Sequence, residues 1–271
     1  MARTEFIEVD VQGPVARVWL ARPRIHNAIN AGMIAELTAA FEGFHGDDAV
    51  RVVVLGGRGR SFCVGADLKW MLEKGDASEA DNLEDARRLA RMLRALHDLD
   101  KPTIARVQGL TIGGGNGMVA ACDLAVGSTA ASFRTAETKL GIVPAVISPY
   151  LIRKLGATVC RELFLTARDV PAREAVTFGL LNRAVAPEEL DAVVDGWVAA
   201  ILRNGPRALV AAKELLAAVS SMGLDEAGEH TARLIARLRS SDEGREGMRA
   251  FFEKRDPDWV VTPGAGGDGA P

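Results

Sequence analysis

QGLTIGGGNGMVAACD, Gln108 to Asp123, is the stretch on which the fold assignment turns. It follows the apolar run Thr103 to Val107, which reads as a strand, and leads into Met118 to Ala121, a segment suited to a buried helical turn. Gly113, Gly114 and Gly115, then Asn116 and Gly117, form a backbone that reaches positive φ and lets a ligand approach with no Cβ in the way. A turn of this kind, opening onto a helix N-terminus, presents unpaired N–H groups to negative charge. Three readings fit. The first is a glycine turn that lets a buried helix pack against a sheet. In the second, GNGMVA (Gly115 to Ala120) is a dinucleotide fingerprint with Glu137 about 20 residues downstream. Against it, CDLAVGS (Cys122 to Ser128) already reads as the next strand, and a βαβ crossover needs about ten residues or more. The third is an oxyanion hole, in which a glycine N–H polarises a carbonyl oxygen.

Composition narrows the class. With 271 residues, 48% hydrophobic and 25% charged, the chain is an ordinary globular one with room for a substantial core. A net charge of -3 argues against nucleic acid or an anionic membrane as the main partner. No segment approaches about 18 uninterrupted apolar residues, and MARTEFIEVD has no apolar leader, so a cytoplasmic location is expected. Cys63, Cys122 and Cys160 are odd in number and far apart, as suits reduced core residues. His26, His45, His97 and His230 are equally scattered, and no metal site is expected.

FIEVDV and VARVWL flank Gln12-Gly13-Pro14 and read as a hairpin, with Val15, Arg17 and Trp19 alternating against Ala16, Val18 and Leu20. RPRIHNAIN is a loop that ends in Asn30, a candidate N-cap. Met33, Leu37, Phe41 and Phe44 then recur at helical spacing. Val50 to Leu55 suits a strand buried on both faces. It ends in GGRGRSFCVGADLKW, a second glycine-rich loop in which Asp67 is placed to cap the helix starting at LKWML. The chain thus has two candidate N–H donors on separate loops. Ser78 to Asp100 reads as an amphipathic helix with Leu89, Met92, Leu93, Leu96 and Leu99 as its buried stripe, stopped by Pro102. Glu137 follows SFRTA, which reads as a strand; a carboxylate there is ordinarily a solvated turn residue. From Val143 the pattern is mainly helical, with helices expected over Pro187 to Asn204, Pro206 to Met222 and Leu224 to Lys254. The tail VTPGAGGDGAP, 261–271, has too little apolar content to fold and is expected to be disordered.

RPRIHNAIN, SFCVGADLK, GLTIGGGNG with ACD behind it, ETKLGIVP and FFEKRDPDW, in that order, resemble the crotonase superfamily, the enoyl-CoA hydratase and isomerase family; the likeness runs from about Phe6 to Trp259. The resemblance implies an α/β fold, a ClpP-like spiral of ββα units over residues 1–200. It also implies a C-terminal helical region, 201–260, that builds homotrimers or hexamers made of two trimers. Acyl-CoA thioesters are the implied substrates, and no cofactor beyond their own CoA is called for. Matched residue by residue, the oxyanion donors are the N–H groups of Ala66 and Gly114, each worth about 3 kcal/mol to an enolate-like oxyanion.

The departure from the family pattern is Gly117. Well-known hydratases carry one glutamate there and a second at the position of Glu137, so one acid/base carboxylate remains here. One carboxylate suffices to deliver water to C3 and a proton to C2, or to shuttle a proton between C2 and C4 as an isomerase does. PAVISPYLIRKLG, in place of a glycine-rich turn, looks like the methylglutaconyl-CoA hydratase branch, which also carries glycine at that position. For CoA, the resemblance implies the segment Gly65, Asp67, Leu68 and Lys69, with Arg22, Arg24 and Ala28 of the first loop and Lys254 near the end. Arg134 is a candidate partner for a distal substrate carboxylate, and Tyr150 a candidate hydroxyl donor; the alternatives are a surface arginine and a core aromatic.

Overall fold

A computed structural model describes residues 2–75 and 77–260; the expected disordered tail lies outside them. The strands are β1 (Ala2–Arg3), β2 (Ile7–Gln12), β3 (Val15–Leu20), β4 (Val52–Gly57), β5 (Thr103–Val107), β6 (Leu110–Ile112), β7 (Leu124–Ser128), β8 (Ser132–Arg134), β9 (Val170–Pro171) and β10 (Arg183–Val185). The helices are α1 (Ala31–Phe44), α2 (Leu68–Gly75), α3 (Glu79–His97), α4 (Gly114–Ala121), α5 (Ser148–Thr166), α6 (Ala172–Phe178), α7 (Leu190–Leu202), α8 (Pro206–Val219), α9 (Leu224–Ser240) and α10 (Asp242–Glu253). The chain forms two compact units that meet in sequence at Asp195 and Gly196, inside α7, a few residues before the expected end of the core.

In the first unit, seven strands lie in the order β1-β2-β3-β4-β5-β7-β10. The hairpin β2–β3 is antiparallel, and every pairing from β3 to β10 is parallel. β4 is buried along its whole length, as a strand covered on both faces must be, while β3 alternates, burying Ala16, Val18 and Leu20. A second sheet holds the short strands in the order β6-β8-β9. β6 was not foreseen, because three residues inside a glycine-rich run carry no alternation to read.

The two sheets are filled in turn. β5 enters the large sheet, β6 the small one, and α4 follows; β7, β8 and α5 repeat the move. The preceding turn has the same plan: after β4, Cys63 bridges Thr111 of β6, then α2 and α3 follow. This is the ββα spiral that the resemblance implied. Asn30 caps α1 by accepting the Met33 N–H at 2.9 Å, and Met33, Leu37, Phe41 and Phe44 are buried as expected. On α3, Met92, Leu93 and Leu96 are buried, with Leu99 just beyond, whereas Leu89 is only half-buried. Among the described residues no helix is long and apolar enough to cross a membrane.

The second unit departs from expectation at one point. Instead of a single helix from Leu224 to Lys254, the chain breaks at Ser241, whose backbone is extended and whose Oγ accepts the Gly244 N–H at 3.0 Å. The serine stops one helix and caps the next, a local competition that apolar spacing does not reveal.

Asn27 ties the first loop to the second. It is fully buried with φ 57, its Oδ1 accepts the Arg22 N–H at 2.9 Å, and its Nδ2 donates to the carbonyls of Arg58, Ser61 and Phe62 at 2.9 to 3.0 Å. Replacing it with alanine strands these buried groups, and Asn27→Ala should cost about 3 kcal/mol of stability, read as a lower urea midpoint at unchanged m-value.

Candidate active site

Two backbone bridges bring the glycine loops together. Ile29 donates to the Gly65 carbonyl at 2.7 Å and accepts the Asp67 N–H at 2.8 Å. These bonds flank Ala66, so its own N–H points away from Ile29 and finds no backbone acceptor among the described residues. On the other side, Cys63 accepts the Ile112 N–H at 2.8 Å. Gly65, at φ 82, lies where a Cβ would come within 3.0 Å of the Ile112 carbonyl and 3.6 Å of the Gly114 nitrogen. The amides of Ala66 and Gly114 are therefore neighbours across Gly65. Gly114 is the first residue of α4, behind a Gly113 N-cap at φ 51, so its N–H is one of the orphan donors at a helix start. Gly113 donates to the Arg134 carbonyl at 3.0 Å, and Asn116 Nδ2 donates to the same oxygen at 2.7 Å, anchoring the turn to β8.

Three residues past Arg134, Glu137 opens a short 3-10 turn. Its carboxyl is aimed at the glycine loop: a Cβ on Gly113 would meet Oε1 at 2.8 Å. Thr135 Oγ1 donates to the Leu163 carbonyl at 2.9 Å and Thr138 Oγ1 to that of Phe164 at 3.0 Å, fixing the segment against α5. Glu137 Oε2 is buried without a hydrogen-bond partner among the described residues. Burial raises its pKa above the usual glutamate value, against the smaller opposing pull of its own N–H and that of Ala136. An acid whose second oxygen is dry and unclaimed, beside two unpaired amides, is equipped to exchange a proton with a bound molecule.

Gly117 leaves no space for a second carboxylate. A Cβ there would come closer than 3.0 Å to Ile147 and within 3.4 Å of Leu93. The sequence gives no sign of Ile147, since nothing in PAVISPY shows which side chain turns inward.

Of the remaining candidates, Arg22, Ala28, Asp67 and Lys69 lie together. Arg22 is tied to Asp67 at 3.1 Å and to the Ala28 carbonyl at 2.6 Å, over the Phe6 ring, so its charge is already paired. Asp67 also caps α2, accepting the Lys69 N–H at 3.1 Å. Arg24, Leu68 and Lys69 are exposed and Ala28 is buried. Arg134, considered for a distal substrate carboxylate, has its fork on Asp169 instead. Tyr150 is buried with its ring edge-on to His97 at 5.3 Å. Burial lowers the His97 pKa against the upward pull of Asp98 and of a hydrogen bond with the backbone of Ala121, the last residue of α4, the helix that Gly114 begins. Lys254 belongs to the second unit, where it ends α10 at φ 56. The three cysteines are buried and form no disulfide, and burial pushes the Cys63 thiol up to about 12. Among the described residues no group of three or more His, Cys, Asp or Glu is placed to hold a metal ion. The dinucleotide reading fails on placement, since β7 ends at Ser128 and Glu137 lies past a further strand, against the glycine loop itself.

Comparison with known proteins shows the family. Residues 10–261 match the enoyl-CoA hydratase/isomerase family model, and the chain belongs to that family of enzymes. The carnitinyl-CoA dehydratase of Proteus mirabilis is 34% identical over 264 residues, spanning 94% of this chain and 98% of the relative. An enoyl-CoA hydratase from Shewanella pealeana superposes with a TM-score of 0.90 at 36% identity, over 94% of this chain and 96% of its own. Pseudomonas aeruginosa AtuE does so at 0.91 and 33%, over 95% and 100%.

The fit at Gly117 can be tested. Alanine gains about 1 kcal/mol over glycine in a helix, but overpacking costs about 1–3 kcal/mol. Gly117→Ala should therefore destabilise the wild type and stabilise an Ile147→Ala background, as read by urea unfolding of the four proteins in the cycle. A gain in both backgrounds would show that Ile147 does not fill the position.

Proposed function

We propose that the protein is a cytoplasmic hydratase of 2-enoyl-CoA thioesters. The thioester oxygen accepts the N–H groups of Ala66 and Gly114. Glu137, as carboxylate, takes a proton from water while the water oxygen bonds to C3; the C2=C3 electrons move toward the carbonyl, leaving an enolate on the two amides. Glu137 then returns a proton to C2, the carbonyl reforms, and the enzyme ends as it began with one water added. The observation that carries this reading is the unpartnered Oε2 of Glu137, held beside Gly113 and one residue from a free helix-start amide. Leu140, Ile142 and Val143, exposed just after Glu137, suit an apolar acyl group. With Arg134 committed to Asp169, an apolar enoyl chain is favoured over 3-methylglutaconyl-CoA, whose distal carboxylate needs a cation.

A Δ3,Δ2-isomerase is the second reading, favoured by the single carboxyl opposite a Gly117 that Ile147 closes. A scaffold that binds acyl-CoA without turnover is the third. We also propose self-association as a homotrimer or hexamer, in keeping with the exposed Leu216, Leu224, Ile235, Phe251 and Phe252 of the second unit.

A panel of 2-enoyl- and 3-enoyl-CoA esters, one with a terminal carboxylate, separates the readings by which ester is consumed. Glu137→Gln should lower kcat about 10²- to 10⁴-fold while CoA-ester binding persists. In the wild type, kcat/KM should fall as pH drops through the raised Glu137 pKa, so the acid limb lies above the ordinary carboxylate range. An active Gln variant, or an acid limb unchanged by it, removes Glu137 from the mechanism.

A further inference from the structure

One cation of the first unit has no place in the mechanism above. Lys154, on α5, sends its ammonium to the C-terminal end of α4, where Nζ donates to the Cys122 carbonyl at 2.7 Å and to the Val119 carbonyl at 3.2 Å. Its hydrogen bonds go to these carbonyls rather than to a carboxylate, and burial pulls its pKa down against the opposite pull of Cys122 and Asp123. α4 is the helix whose first residue is Gly114, and every residue after Gly114 is buried. At 1.5 Å per residue, its eight residues place the two ends about 10 Å apart.

The peptide dipoles of such a helix leave a partial positive charge at the Gly114 end and a partial negative charge on the last carbonyls. An ammonium on those carbonyls offsets the negative pole, so the Gly114 end faces a more positive potential. The path between them is buried, where salt screens little. We propose that Lys154 is a positioning residue for the reaction, its charge acting through α4 to strengthen the grip of the Gly114 amide on the substrate oxyanion. The inference rests on the oxyanion assignment made above. At about 12 Å and an effective dielectric near 20, the interaction corresponds to about tenfold in rate.

A helix cap that merely stabilises the fold would not alter the field at the substrate carbonyl, and that difference is measurable. The probe is 4-(dimethylamino)cinnamoyl-CoA, a push-pull thioester whose absorption moves to the red when its carbonyl is polarised. Bound to the wild type it should shift to the red. Lys154→Gln, which keeps a donor, and Lys154→Met should each lose part of that shift and about tenfold in kcat, with KM little changed; Lys154→Arg should keep both. A folded neutral variant with the full wild-type shift and kcat overturns the inference. Should neither neutral variant fold, the shift is followed in the wild type as pH is raised through the lysine's titration. Lys154→Arg stays charged and subtracts every other group that titrates there, Tyr150 included. Loss of the shift in the wild type alone supports the inference, and parallel behaviour overturns it. No shift in the wild type at neutral pH would instead overturn the oxyanion assignment itself, and the inference with it.

Discussion

The site depends on the register of a three-residue strand pair. Pairing Ile112 with Arg134 lets the Arg134 carbonyl take both the Gly113 N–H and the Asn116 side chain. That single oxygen sets the entry to α4, and with it the direction of the Gly114 amide. It also sets how far along the chain Glu137 falls, because the carboxylate is three residues beyond the same strand. A slip of one residue would turn β8 over and carry the acid away from the glycine loop. Thr135 and Thr138, bonded to carbonyls of α5, hold the segment from the other side.

Crowding is the second constraint, and it explains why the loops are glycine-rich beyond the need for unusual dihedrals. At Gly115 a Cβ would sit 2.6 Å from the Cys63 carbonyl, and at Gly65 it would press on Ile112 and the Gly114 nitrogen. The two loops come together because side chains are missing where they cross. Close approach excludes water, and in a dry place an unpaired amide or a lone carboxyl oxygen is worth more electrostatically than it would be in solvent. The same dryness raises the Glu137 pKa, so the crowding that brings the glycine loops together also keeps the carboxyl beside them from ionising as easily as in water.

Charge in the first unit is spent largely on holding loops. Arg22 joins Asp67, the Ala28 carbonyl and the Phe6 ring, and the buried Asn27 beside it links the first loop to the backbone of residues 58–62. The resemblance suggested Arg22 for CoA, yet its guanidinium is occupied where it stands. Arg134 likewise serves the structure twice, through its carbonyl toward the glycine turn and through its fork toward Asp169.

Much of this was legible in the chain itself. Strand β4, the hairpin, the Asn30 cap, the buried faces of α1 and α3 and both glycine loops follow from local chemistry: β-branched runs, period-two alternation, a capping side chain and the absence of Cβ atoms. The ordered set of motifs around Ala66, Gly114 and Glu137 was enough to point to the family. What local chemistry could not supply was any partner distant in sequence. Strand β6 is too short to show a period, the break at Ser241 turns on one hydroxyl, and the fates of Arg22, Arg134 and Tyr150 were decided by Asp67, Asp169 and His97. Ile147 closing over Gly117, and Lys154 reaching the far end of α4, are contacts of a side chain with backbone about 30 residues away, whose direction no spacing rule encodes. Residue type settled which groups can do chemistry; only packing in three dimensions, by choosing who faces whom and which oxygen stays dry, settled which of them are left free to do it.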